Sequence, residues 1–267
     1  MGADIKALRS RIRSVDSTLH LTKAMGLVAS SKMRRANEAM MKSRDYAAAV
    51  KDAVEVLTLS SECAKSPYMK ETDGSRTKII VIAGDRGLAG GYNANIFRLV
   101  KEYPDAEYIP IGKRACERFG TEHNSSENFS YNDAKELSDK LCREFCDGEF
   151  DRLGIISTKY VSMMTQEAQI SWVLPIKKAE KTSGVGVIFE PDEITILNES
   201  VPEYIAGILI ASLRESFASE VAARRMAMDS AGKNAQQMID DLQLKYNRAR
   251  QGAITQEITE IVAGSGT

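Results

Sequence analysis

All six prolines of the chain (Pro67, Pro104, Pro110, Pro175, Pro191 and Pro202) lie between residues 67 and 202. A proline removes a helix donor and clashes with the preceding turn, so both ends are free to run as unbroken helices over roughly sixty residues each. Periodicity turns that permission into an expectation. At seven-residue steps the N-terminal arm reads Ile5, Ile12, Leu19, Gly26, Met33, Met40, Ala47 and Val54. Three residues later it reads Leu8, Val15, Thr22, Ala29, Ala36, Ser43, Val50 and Leu57. Only Thr22 and Ser43 depart from apolar, Ala or Gly. A 3-4 spacing kept over so many heptads marks a coiled-coil seam. At ~1.5 Å per residue a helix over residues 3–57 would be on the order of 80 Å long.

The partner of this seam is expected at the other end of the same chain. From Glu203 onward apolar residues recur at helical spacing through Ile205, Leu209, Leu213, Phe217, Ala227, Ala231, Ala235, Met238, Leu242, Tyr246, Ala249 and Ala253. Gly207, Gly232 and Gly252 each cost about 1 kcal/mol against Ala inside a helix, so they are either tolerated or needed for close approach. Small residues in the first seam (Gly26, Ala29, Ala36) predict a thin rod. Ile254, Ile258 and Ile261 carry a rotated stripe that predicts contact with something other than the helix pair. Three segments result: residues 1–60 as one coiled-coil helix, 75–195 as a central α/β domain, and 203–267 as the helix that pairs with 1–60.

The central segment opens with Lys78–Ala83, apolar and β-branched, followed by Gly84-Asp-Arg-Gly-Leu-Ala-Gly-Gly-Tyr-Asn93 and a helix expected from Ala94. Strand, glycine turn and helix in that order begin a βαβ unit. Further strands are predicted at 107–111, 153–157 and 168–174, and helices at 113–119 and 133–145; residues 184–198 are ambiguous. The fold class is therefore α/β: a Rossmann-like, open, mostly parallel sheet carried by a long antiparallel coiled coil. The glycine turn matches neither the P-loop nor the dinucleotide pattern. It is either a tight structural turn or a phosphate cradle, and Asp85 and Arg86 are equally consistent with a loop that faces a partner.

Other chemistry is sparse. Two histidines (His20, His123) and four cysteines (Cys63, Cys116, Cys142, Cys146) point to no metal site, and the spacing of Cys142 and Cys146 is that of one helical turn. No nucleophile elbow is present. No apolar run approaches the roughly 20 residues that span a bilayer. A soluble or peripheral protein of a reducing compartment is expected, with no catalytic, cofactor or metal residues. Residues 1–45 carry ten Lys/Arg against four Asp/Glu, but without interleaved aromatics this basic arm does not read as a nucleic-acid surface.

Three stretches carry a resemblance to the γ subunits of F-type ATP synthases. The first is Ser14-Val15 with Leu21-Thr-Lys-Ala-Met25 and Val28-Ala-Ser-Ser-Lys-Met-Arg-Arg35. The second is Asp85-Arg-Gly-Leu88 with Gly90-Gly-Tyr-Asn93. The third is Ala218-Ser-Glu220, Ala223-Arg224, Ala227-Met228, Asn234-Ala235 and Leu244-x-Tyr-Asn247 through Arg250-Gln251 and Ile254–Val262. The resemblance implies a rotor shaft without catalysis of its own. The paired end helices would stand in a ring of three α and three β subunits, and the α/β domain would form a foot on the membrane ring of c subunits beside ε. It implies ring contacts for Lys23, Met25, Arg224, Gln251 and Thr255, and a place near the c-ring for Phe189 and Glu190. The absence of a redox-cysteine insertion and of a transit peptide before Met1 resembles a bacterial form. Such a form is peripheral at the cytoplasmic face of the plasma membrane, which it meets only indirectly through Fo. In the glycine turn Gly84 and Ala89 stand where the family commonly has Ser and Cys.

Overall fold

The computed structural model describes residues 2–70, 74–122, 124–179 and 189–264. Helix α1 spans Gly2–Thr58. None of its sixteen seam residues is exposed. Off the seam, Leu21, Leu27, Val28 and Met41 are 52–72% exposed, so position in the heptad, not residue type, decides burial. Thr22 is buried at the seam because its hydroxyl donates to the Leu19 carbonyl at 2.9 Å and brings no unpaired group into the interface.

Helix α5 spans Glu193–Gly264 and begins ten residues before the expected Glu203, with Pro202 inside it. Asp192 starts it by accepting from the Thr195 N–H at 2.9 Å and from the Thr195 hydroxyl at 2.8 Å. An internal proline costs a helix about 3 kcal/mol. Against this, Leu197, Val201, Ile205 and Leu209 are all fully buried, each contributing roughly 1.5–3 kcal/mol. Packing therefore carries the helix through the proline that the sequence reading used as its boundary. One stretch of 18 residues in α5 is long and apolar enough to cross a membrane by composition, contrary to the sequence expectation. Ile205, Ala206, Leu209 and Leu213 of this helix are core residues at 0–2% exposure.

The chain divides into two compact units, residues 1–30 with 224–267, and residues 31–223. The first unit is an antiparallel helix pair. Leu19 forms an apolar cluster with Ala235 and Ile239, and Val15 packs against it. A Cβ on Gly232 would meet Thr22 Oγ1 at 3.5 Å, and one on Gly26 would meet the Met228 Cβ at 3.7 Å, so numbers rise along one helix as they fall along the other. Both glycines, and Gly252 with nothing within 4 Å, have room for a methyl group. They are tolerated, not required. Gly207, in the second unit, is the tight one, since its Cβ would stand 3.1 Å from Tyr46 Cε1.

In the second unit Ala36 and Met40 of α1 cluster with Ala218 of α5. The same unit holds β1 (Thr77–Ile82), α2 (Tyr92–Val100), β2 (Glu107–Ile111), α3 (Lys113–Phe119), α4 (Tyr131–Cys146), β3 (Arg152–Tyr160) and β4 (Gln166–Leu174). The sheet order is β2-β1-β3-β4; β1 pairs parallel with β2 and β3, and β4 closes one edge antiparallel to β3. The expected bounds of β2 and α3 match. Helix α2 starts two residues early, and β3, β4 and α4 run a few residues longer than expected. Strand β1 is buried from Lys78 to Ile82, and alternation sends its residues to two faces. Ile80 and Ile82 join Leu57 of α1, Leu141 and Phe145 of α4, and Leu197 to Leu213 of α5. Ile79 and Val81 join Ile96 of α2 and Ala115 of α3. Of the ambiguous residues 184–198, those up to 188 lie outside the described residues and 193–198 open α5.

Candidate functional site

The glycine turn after β1 sends Asp85 inward and leaves Arg86 and Leu88 exposed. The Asp85 carboxylate accepts from the Lys113 N–H at 2.9 Å, from the Ser126 and Glu127 N–H groups at 3.0 Å each, and from the Ser125 hydroxyl at 2.7 Å. Burial alone would raise its pKa, but the Ser125, Lys113, Glu127 and Ser126 donors together hold it below the ordinary carboxylate range. Asn93 Oδ1 accepts from the Gly84 N–H at 3.0 Å, and the Gly84 carbonyl accepts from the Arg114 N–H at 3.1 Å. Gly112, with φ of 98°, lies so close to β1 that a Cβ would meet the Ala83 carbonyl oxygen at 1.9 Å. The turn thus clasps the 124–127 loop and the start of α3. Of the two loop residues, Asp85 is structural, while Arg86 is exposed and pairs with Glu127 at 3.5 Å.

Above the turn lies a buried carboxylate that sequence reading gave no role. Glu220 of α5 is 3% exposed, and its carboxyl group would be 2.7–3.0 Å from a Cβ on Gly84. A phosphate arriving at this turn would meet the charge of Asp85 and find the space over Gly84 filled by the Glu220 carboxyl group. Gly84 therefore lets α5 sit on the turn.

A polar joint fixes α5 to the sheet. Glu215 Oε1 accepts from the Tyr160 N–H at 2.9 Å and from Arg44 Nη2 at 2.5 Å. The Ser216 hydroxyl oxygen accepts from the Thr158 N–H at 3.0 Å, and the Ser216 carbonyl accepts from the Tyr92 hydroxyl at 3.1 Å. Lys32 Nζ reaches Glu127 Oε1 at 2.6 Å and lies 5.8 Å over the Phe217 ring. The end of β3, the start of α2 and both long helices meet here. The signal available in sequence was a run of polar residues, Glu215-Ser216 and Ser219-Glu220, inside an otherwise apolar helix face.

The residues expected at partner contacts do not form one cluster. Lys23 is exposed on an open groove of about 570 Å³ beside Gly26, Arg225, Met228 and Asp229. Met25 and Arg224 are half-buried. Gln251 and Thr255 are exposed one turn apart, the Thr255 hydroxyl donating to the Gln251 carbonyl at 2.9 Å. Around and beyond them Ile254, Ile258, Ile261 and Val262 are 45–66% exposed, an apolar stripe turned to solvent. In the second unit, Phe189 packs against the core while Glu190 is exposed. Next to them an apolar groove of about 500 Å³ runs between Tyr46, Val50 and Ala53 of α1 and Pro191, Ile196 and Ser200. Glu203 at its rim accepts from the Tyr131 hydroxyl and pairs with Lys135 at 2.5 Å. Lys135 and Tyr131 together hold its carboxyl below the usual range.

The family profile described as ATP synthase matches residues 4–267. The ATP synthase gamma chain of Ruminococcus albus is 39% identical over 98% of this chain and 98% of its own length. The ATP synthase gamma chain, sodium ion specific, of Acetobacterium woodii is 36% identical over 99% of each chain. Among solved structures, a chain of the Euglena gracilis mitochondrial ATP synthase (OSCP/F1/c-ring, rotational state 3) matches with TM-score 0.67 at 18% identity, over 98% of this chain and 94% of that one. A chain of the Tetrahymena thermophila mitochondrial ATP synthase (central stalk and c-ring) matches with TM-score 0.63 at 22% identity, over 79% and 99%. At these identities the two structures speak for the fold.

Proposed function

The chain belongs to the ATP synthase gamma family, and on that footing we propose how its parts work as the central rotor shaft of an F1Fo ATP synthase. It is a non-catalytic subunit. The helix pair of residues 1–30 and 224–267 stands inside the ring of three α and three β subunits, where nucleotide chemistry takes place. The sheet domain forms the foot, resting on the c-ring beside ε. Ion flow turns the foot, the helices carry the torque, and the off-axis shaft drives the three β sites through different conformations. As a member of this family the chain is part of the membrane-associated F1 sector. Its place is the cytoplasmic face of a bacterial plasma membrane.

The observation that carries this reading is the apolar surface left bare on a non-globular helix pair: Leu21, Leu27 and Val28 on α1, and Ile254, Ile258, Ile261 and Val262 on α5. Contiguous exposed apolar surface marks a site where a partner gains by covering it. Within it Lys23 and Met25 face the ring on α1, and Arg224, Gln251 and Thr255 meet its loops on α5. Phe189 and Glu190 face the c-ring, Phe189 by holding its segment to the core and Glu190 by direct exposure. Within the second unit, the joint of Glu215, Ser216, Tyr92 and Arg44 ties α1 and α5 to the sheet, because each polar group there is tied to a second element.

A nucleotide-binding enzyme built on the sheet, and a homodimeric signalling coiled coil, are the rivals. The first is disfavoured by the Glu220 carboxylate over the glycine turn, the second by the antiparallel partner α5 already on the α1 seam. Co-expression with α and β tests the reading: one copy of this chain is expected with three of each. Stoichiometric homodimers, or ATP turnover by the purified chain alone, would defeat it.

A further inference from the structure

In the second unit, a pocket of about 720 Å³ opens where the chain leaves β4. Its half-buried apolar walls are Met69, Trp172 and Pro175, and its charged groups are Arg152, Lys177 and Lys178. No carboxylate lines it among the described residues. The Arg152 guanidinium lies 3.9 Å from the Trp172 ring centroid and makes no ion pair among the described residues. Its sequence neighbour Asp151 is already engaged by Arg76, through Nη2 at 2.9 Å and the backbone N–H at 2.9 Å, and by the Ser75 hydroxyl at 3.2 Å. Gly74 lets the arginine stem pass, since a Cβ there would be 2.6 Å from Arg152 Cδ. Lys177 and Lys178 are exposed and likewise without an ion pair among the described residues. Their backbone is pinned on both sides, by Ile176 N–H to the Tyr68 carbonyl at 2.8 Å and by Ala179 N–H to Thr58 Oγ1 at 3.1 Å. Three cations are therefore gathered at an apolar wall in a segment whose position is fixed.

We propose that this pocket binds an anionic amphiphile, its phosphate among Arg152, Lys177 and Lys178 and its apolar part against Met69, Trp172 and Pro175. A simple ion would leave the wall wet, and a neutral apolar molecule would leave three cations unanswered; a molecule with both parts answers both. The source is either a membrane phospholipid or a soluble organic phosphate. The site stands apart from the rotor assignment, so it can fail while that assignment holds.

Trp172 is the only tryptophan of the chain, so its emission reports this pocket directly. The full-length chain is titrated with monomeric dihexanoyl phosphatidylglycerol, with dihexanoyl phosphatidylcholine and with inorganic phosphate. A saturable emission change with the phosphatidylglycerol is expected, at least tenfold tighter than with either control. Lys177→Gln with Lys178→Gln removes two exposed cations without touching the core, and the pair weakens binding about tenfold. No saturable change, equal response to the zwitterionic lipid, equal affinity for inorganic phosphate, or an unaffected double variant would each overturn the proposal. A final arm separates the sources. Binding to long-chain phosphatidylglycerol vesicles supports a bilayer lipid, and binding of monomers alone supports a soluble amphiphile.

Discussion

The Glu220 carboxyl carbon lies 2.7 Å from the point where a Cβ on Gly84 would stand. This one contact explains why a glycine opens the turn after β1 and why the turn holds a helix instead of a phosphate. The carboxyl group is 3% exposed, so moving it aside disturbs the packing that buries it. Gly84→Ala is therefore expected to lower stability by about 1–3 kcal/mol in denaturant titrations. Adding Glu220→Ala should cost less than the two single losses together, because the shorter side chain removes the clash. Strict additivity would show that the contact is not the cause.

Asp85 sets a pH dependence. Its folded pKa is depressed, so its stabilising effect is complete above its unfolded value of about 3.9 and is lost as pH falls through the lower folded value. Asp85→Asn should destabilise the protein by about 1–3 kcal/mol at pH 7, since an amide presents an N–H to a ring of donors. The gap between wild type and variant should close in urea titrations carried below pH 4. A gap that stayed constant with pH would assign the loss to something other than the charge.

The helix glycines separate by the space around them. Gly26→Ala and Gly252→Ala should stabilise the free chain by up to about 1 kcal/mol each, the helix propensity gain with room for the methyl group. Gly207→Ala should gain less or lose, because Tyr46 Cε1 stands 3.1 Å from the new carbon. Thermal unfolding of the three variants side by side gives the order.

Lys23 is a prediction about coupling. It is exposed on the α1 groove, so Lys23→Glu should leave the fold intact by circular dichroism. In the assembled enzyme it should reduce ATP-driven ion pumping relative to ATP hydrolysis, because the proposed ring contact of Lys23 would have its charge reversed. An unchanged pumping ratio would remove Lys23 from the contact.

The seam was legible because it rests on local periodicity: sixteen positions of α1, among them Thr22 and Ser43, are all turned from solvent. The bounds of β2 and α3 were legible for the same reason, since proline and glycine punctuate them at Pro110, Gly112 and Gly120. Pro202 misled because its cost is local, whereas the burial that overrides it comes from α1, α4 and the sheet. Asp85 misled in the opposite direction. An acidic residue in a glycine turn reads as surface until the backbone N–H groups of residues 113, 126 and 127 are seen to converge on it. The joint at Glu215, Ser216 and Glu220 was not legible, because its partners lie 55 or more residues away along the chain. The proposed partner contacts rest on family resemblance alone; on the helices Lys23, Gln251 and Thr255 are ordinary exposed side chains, and Met25 and Arg224 are half-buried.

Cys146 is the only exposed cysteine of the four, so a bead or fluorophore can be placed on the foot at a single point. In a complex of this chain with α and β anchored to a surface, ATP is expected to drive sustained one-way rotation of that probe. Steady ATP hydrolysis with the probe stationary would contradict the account.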